Sequence, residues 1–251
     1  PWTIPANRAL VYSSKIKYSI IQMGRDSEHF QNKNIIIASE LVKKVSEDCN
    51  FQDFKVLKEF AGNEFESTIC QHPLIDLGYN YNVPMLEGDF VTLEQGTGIV
   101  HTAPMHGPDD FNLCLKHGIK APDTMNDAGI YTDEIPFFSG MHIFKADSTI
   151  IDKLSECKNL LGNGKLQHSF PHSWRSKAPL VYRATPQWFI SMEKNNLRKK
   201  ALKAIDDTTF YPSKGKERIR AMIETRPDWC ISRQRVWGVP LPIFVSKKTN
   251  E

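Results

Sequence analysis

Sixteen residues, Gly96 to Phe111, hold two histidines, two adjacent carboxylates, three glycines and two prolines. His101, His106, Asp109 and Asp110 are the side chains there that can carry charge or a proton. A carboxylate facing an ammonium makes a charge-assisted contact, among the stronger hydrogen bonds available. His101, His106 and Asp110 also supply nitrogen and oxygen donors of a type that can hold a metal. Their spacing fits no helical pair, and Pro104 and Pro108 prevent a helix through all three. A metal-dependent hydrolase is therefore the weaker alternative, and no metal is expected. Each residue also has a plainer reading. A lone aspartate at a helix start is usually a cap or a dipole partner, and Asp109 is the plainer cap of the two. A histidine after an apolar pair is more often a satisfied core residue. His106 is expected to support the loop.

The elements around these residues follow from pattern. Ile99-Val100 ends a buried strand, and Thr102-Ala103-Pro104 and Gly107-Pro108 break regular structure. Pro108-Asp109-Asp110 opens a helix to about His117, with Gly118 as its stop. A strand, a tight loop and a helix start project polar side chains from a rigid frame. Upstream, residues 9–22 read as a hairpin turning at Ser13-Ser14-Lys15. Asn34–Ile37 reads as a strand, and Ser39 as the cap of a helix burying Leu41, Val42 and Val45. Phe54 to Phe65 reads as strands around Gly62-Asn63, and Gly129 to Ile143 as further short strands. Asp147 is expected to cap a helix with Ile150, Ile151 and Leu154 inward. Glu193–Ile205 and Lys214–Glu224 read as basic helices, and Trp237–Val245 as a strand entry.

Short strands with isolated helices give an α+β class: a β-rich body over residues 1–165 and a basic helical and strand connector over 166–251. Charge supports the division. Residues 1–164 hold 14 Lys and Arg against 22 Asp and Glu, and residues 165–251 hold 18 against 7. The basic part is the natural place for phosphate contacts, or simply a lysine-rich surface. Arg175, Lys177, Arg183, Lys199 and Lys200 are its candidate phosphate contacts. Trp188, Trp229 and Trp237 either stack on nucleotides or pack in a core. The longest apolar runs are too short to span a bilayer. The five cysteines are scattered and never in a C-x-x-C pair, which argues for reduced thiols in the cytoplasm. The start at Pro1 is no signal peptide and reads as a cut from a longer protein.

Four blocks in register resemble the isoleucyl-tRNA synthetases across essentially the whole chain. The first is Pro1-Trp2-Thr3-Ile4-Pro5-Ala6-Asn7-Arg8-Ala9. The second joins Gly96-Thr97-Gly98, His101-Thr102-Ala103-Pro104 and His106-Gly107-Pro108-Asp109-Asp110. The third runs from Arg183 to Phe189, and the fourth from Arg226 to Gly238. The His-Thr-Ala-Pro run and the Trp2-Thr3-Ile4 start separate this pattern from the valyl and leucyl relatives. The resemblance implies the family's editing insertion, a distorted β-barrel with peripheral helices, and a connector returning to an aminoacylation core that acts in cis. It implies post-transfer hydrolysis of the ester in Val-tRNA(Ile), by a monomer. One methylene discriminates by only about 1–3 kcal/mol in an apolar pocket, so a second sieve is needed.

By the same resemblance, Asp110 anchors the α-ammonium of the aminoacyl group and His101 bounds the side-chain pocket. Thr3, Asn7, Trp2 and Thr102 are implied to bind substrate. The threonines that precede Pro1 in the family lie upstream of this sequence. Met105 stands where many relatives carry glycine, and either narrows the entrance or packs beneath the loop. No cofactor is implied for editing; ATP and Mg2+ belong to the full-length enzyme, whose His-Ile-Gly-His and Lys-Met-Ser-Lys-Ser signatures are absent here. A non-catalytic tRNA-binding module is the alternative from a different class.

Overall fold

The computed structural model describes all residues except 26, 28, 29, 95, 166, 168, 233–237 and 249–251. The chain divides into two compact units, Pro1–Ala184 and Thr185–Glu251. The first unit therefore continues past residue 165. Its elements in order are β1 (Ala9–Tyr12), β2 (Lys17–Met23), β3 (Asn34–Ala38), α1 (Val42–Asp48), β4 (Phe54–Ala61), β5 (Ile69–Gln71), β6 (Asn82–Glu87), β7 (Val100–Thr102), α2 (Pro108–Lys116) and α3 (Ile143–Glu156). The second unit holds β8 (Phe189–Ile190), α4 (Leu197–Asp206), α5 (Lys214–Glu224) and β9 (Trp229–Cys230). The class is α+β, with strands in the order β5-β6-β1-β7, β3-β2-β4 and β8-β9.

The expected hairpin over residues 9–22 does not form. β1 pairs parallel with β6 and antiparallel with β7, while β2 pairs with β3 and β4. Both edges of each strand are taken by distant partners, so the turn at Ser13 moves the chain from one sheet to another. The local turn signal is real; the pairing it suggested loses to longer-range burial. Phe54 to Phe65 likewise gives one strand and then a 3-10 turn over Gly62–Phe65.

Two larger apolar clusters and a smaller one around Ala9, Leu86 and Cys114 form among the described residues. Tyr18, Ile21 and Met23 of β2 pack with Ile37, Leu41, Val42, Val45 and Phe65. Ile143, Ala146, Ile150 and Leu154 of α3 pack with Leu74, Tyr79, Tyr131, Ile135 and Phe138. The 3-4-4 spacing of those α3 residues is one helical stripe, which sets its start. The helix begins at Ile143, earlier than a cap at Asp147 would allow, because Ile143 and Ala146 are sealed in the core. Its N-cap is His142, whose side chain accepts from Phe144 N. Ser39 does not cap α1 through its side chain; its hydroxyl bonds Ser19 Oγ at 2.8 Å. Residues 129–143 form isolated bridges in place of strands. No strand is formed by residues 238–245, and Trp237 lies outside the described residues.

The loop before β7 is docked with little freedom. Ala38 N donates to Thr97 O at 2.8 Å, and Tyr18 Oη donates to Gly98 O at 2.9 Å. Gly98 has φ +77°, and a Cβ there would lie 2.4 Å from Ala38 Cβ. Glycine answers both demands, which explains its place ahead of the histidine strand.

Candidate functional site

β7 is the edge strand that carries His101. Its register against β1 pairs Leu10 with His101 and Ala9 with Thr102. Side chains alternate along a strand, so His101 and Thr102 face opposite ways. Thr102 is wholly buried, and its Oγ1 has no partner among the described residues. It is sealed from any incoming group, which departs from the substrate contact expected of it.

The His101 ring lies between Asn7 and Thr3. A 3-10 turn over Ile4–Ala6, with Pro5 preset for its first turn, delivers Asn7 to the strand. Asn7 Nδ2 donates to Ala9 O at 3.0 Å, which fixes the amide's orientation. The same nitrogen lies 2.7 Å from His101 Nδ1, which must then accept. His101 Nε2 therefore carries the proton and donates to Thr3 Oγ1 at 3.0 Å. The Thr3 hydroxyl hydrogen and Asn7 Oδ1 keep no partner among the described residues. A directed line of three side chains thus ends in a hydroxyl donor at Thr3 and a buried amide oxygen at Asn7.

The backbone of the turn is held from afar. Asp147 Oδ1 accepts from Trp2 N at 2.9 Å, and Tyr131 Oη donates to Trp2 O. Asn7 O accepts from Tyr81 Oη at 2.9 Å and from Arg8 Nη1 at 2.7 Å. Arg8 lies over the Tyr81 ring at 4.3 Å. Sequence reading missed Asp147, Tyr131 and Tyr81 in this role. They stand far from the turn in sequence, and no local pattern marks a partner across such a gap.

A cavity of about 290 Å³ opens beside this line, its walls formed by His101 and Asn7 with Ile4, Leu10, Val83 and Leu154. Trp2 is not among its walls. Its ring packs edge-on against His106 at 4.7 Å, so it supports the loop. His106 is held by Tyr182 O at 3.1 Å and Thr124 Oγ1 at 2.8 Å. Met105 is buried.

Asp110 does not line the cavity. It stands in the first turn of α2, and its Oδ2 accepts from Ala103 N at 2.8 Å. Gly107 makes room for this, since a Cβ there would come within 3.3 Å of Asp110 Cγ. Asp110, and not Asp109, therefore ties the helix start to the loop; α2 has no side-chain N-cap bond. Burial pushes the Asp110 carboxyl above its ordinary value, partly offset by the Ala103 bond. Oδ1 receives no hydrogen bond from another residue among those described. His101, His106 and Asp110 are each committed to different partners, and no three His, Cys, Asp or Glu side chains converge among the described residues.

Burial holds two imidazoles neutral. His101 and the buried His72 are each pushed from 6.5 down to about 4, desolvation being the largest cause. Above pH 6.5 each ring is neutral folded or unfolded, so neither affects stability. As pH falls from 6.5 towards 4, the unfolded chain takes up protons that the folded chain refuses, and stability is lost. The expected loss approaches about 3 kcal/mol per ring. Thermal unfolding from pH 7 to pH 4 checks this: the midpoint falls, and a His72→Gln, His101→Gln double variant flattens the fall.

In the second unit, Trp188 and Trp229 are exposed, as are Lys199 and Lys200 of α4. Arg226 lies over the Trp229 ring at 6.0 Å. Arg183, in the first unit, is tied to Asp127 and Asp123, which removes it from the free cations. No helix among the described residues is long and apolar enough to cross a membrane.

Residues 6–251 match the family described as tRNA synthetases class I (I, L, M and V), and the chain belongs to that family. It is 64% identical, over its full length, to the isoleucine–tRNA ligase of Pelagibacter ubique, of which it covers 28%. The isoleucine–tRNA ligases of Gluconobacter oxydans and Idiomarina loihiensis are 45% and 46% identical, again along the whole chain. The chain spans 26–28% of the length of these relatives. A solved editing domain of the P. falciparum cytosolic leucyl-tRNA synthetase overlaps at a TM-score of 0.38 and 14% identity, covering 93% of this chain and 76% of that one. Overlap at that level adds nothing to the assignment.

Proposed function

We propose that this chain is the hydrolytic editing segment of an isoleucine–tRNA ligase and removes valine from tRNA(Ile). The observation that carries the reading is the Thr3–His101–Asn7 line, of which His101 and Asn7 border a mostly apolar cavity. Water attacks the ester carbonyl, the bond from acyl carbon to ribose oxygen breaks, and the proton ends on the ribose oxygen. Thr3 offers a donor to orient the water or ribose hydroxyls, and the buried Asn7 amide holds the ring from its other side. The neutral His101 ring fixes both and bounds the space for the valine side chain. No cofactor enters the step.

Asp110 acts here through its charge and its remaining oxygen Oδ1. Its loop partner Ala103 lies two residues beyond His101, just after the end of β7. An aminoacyl group with its ribose bridges that span, placing the α-ammonium toward the carboxylate. The exposed Trp188, Trp229, Lys199 and Lys200 suit stacking and phosphate contact with the tRNA body. The remainder of the ligase acts in cis, in the cytoplasm.

The test is deacylation of Val-tRNA(Ile) and Ile-tRNA(Ile) by the full-length ligase carrying this segment. Rapid loss of valine with isoleucine spared is expected. A ligase that binds tRNA yet never speeds loss of valine leaves only the non-catalytic binding module.

A further inference from the structure

We propose that His72 is a positioning residue for this site: its Nε2–H holds the Ile4 carbonyl and so sets the turn that presents Thr3 and Asn7 to His101. The proposal deepens the editing reading and rests on it.

His72 is buried and lies 68 residues from its partner. Its tautomer follows from backbone alone. Leu74 N, which can only donate, lies 3.1 Å from His72 Nδ1, so Nδ1 accepts. The proton therefore sits on Nε2, which donates to Ile4 O at 3.0 Å. That carbonyl also accepts from Asn7 N at 3.0 Å, the bond that closes the turn between Thr3 and Asn7. His72 thus grips one of the two carbonyls on which the turn closes, the other being Thr3 O, which accepts from Ala6 N. A shift there moves Thr3 and Asn7 together against the ring they hold.

The ring itself has little play. It stacks on Tyr79 with centroids 4.5 Å apart and planes 15° from parallel. Tyr79 Oη is anchored to Pro136 O at 2.8 Å. Tyr81, which holds Asn7 O, tilts against the same imidazole at 5.5 Å. Only a neutral ring can accept from Leu74 while donating to Ile4. Burial, with the Arg8 charge nearby, favours that form. Displacements of about 1 Å in a positioned site can cost on the order of 100-fold in rate.

Two variants separate positioning from packing. Glutamine can place an amide N–H where Nε2 stands, keeping the Ile4 bond and losing the Leu74 bond. Asparagine can place an oxygen where Nδ1 stands, keeping the Leu74 bond and losing the Ile4 bond. Both are measured in the full-length ligase, with aminoacylation as the report on folding. His72→Gln is expected to keep the kcat for Val-tRNA(Ile) deacylation within about threefold of wild type, whereas His72→Asn loses on the order of 100-fold with KM nearly unchanged. Aminoacylation persists in both. If His72→Asn edits like wild type, or His72→Gln loses as much as His72→Asn, the proposal is overturned. Loss of aminoacylation together with editing in both variants makes His72 a packing residue and also overturns it. A wild-type ligase that does not deacylate Val-tRNA(Ile) sinks the editing reading itself, a result distinguishable from these.

Discussion

Asp110→Asn is expected to lower Val-tRNA(Ile) deacylation roughly 100-fold while leaving the fold intact, because a hydrogen bond to a charged group contributes about 1.5–3 kcal/mol. The asparagine oxygen can still accept from Ala103 N, the contact that joins α2 to the loop after β7. What disappears is the negative charge. Loss of that charge from the first turn of a helix costs only about 0.3–1 kcal/mol of stability, so the unfolding midpoint should move little. Asp110→Ala removes brace and charge together and serves as the comparison. The two roles then separate cleanly. If asparagine edits at the wild-type rate while alanine fails, Asp110 braces the loop and does not grip the amine. The amine-anchor assignment is then wrong. The geometry makes this the sharpest question at the site, since one carboxylate oxygen is already engaged by backbone and the carboxylate does not border the His101 cavity.

His101→Ala is expected to raise hydrolysis of Ile-tRNA(Ile) by about 10- to 200-fold, the range that one methylene commands in an apolar pocket. The imidazole is both wall and strut. It borders the cavity and is gripped at each nitrogen, by Asn7 and by Thr3. Alanine removes the wall and leaves Thr3 and Asn7 without their shared partner, so the rate on Val-tRNA(Ile) should fall as well. The decisive quantity is the ratio of the two deacylation rates under the same conditions. An unchanged ratio means that His101 does not set the size limit, whatever happens to the absolute rates.

Part of this site is legible in the order of the residues. Pro108 to Gly118 carries its own start and stop, and α2 with Gly118 at φ +68° follows that signal. Ile150 and Leu154 mark one face of α3, although the helix begins earlier than Asp147 suggests. In such places the information is local: a proline without an N–H, a glycine free to take positive φ, a stripe at helical spacing. Where the information is not local, pattern misleads. The hairpin expected over residues 9–22 has the right turn and the wrong partners, because β1 lies between β6 and β7 from much later in the chain. Thr102 resembles its neighbour His101 as a member of a polar run, yet strand alternation seals one and presents the other.

By itself the sequence determined the class of fold, the contrast between an acidic first part and a basic last part, and the two short blocks that meet at the site. These follow from propensity, periodicity and charge, which act over a few residues at a time. Only the tertiary structure decided which polar atoms are spent and which remain. It committed Asp110 Oδ2 to Ala103, fixed the proton of His101 on Nε2, and brought His72 onto the Ile4 carbonyl. Hydrogen bonds of that kind depend on distances between residues up to 145 positions apart, as between Trp2 and Asp147. Such distances are set by how the apolar clusters pack, a property of the folded chain and of no single stretch within it.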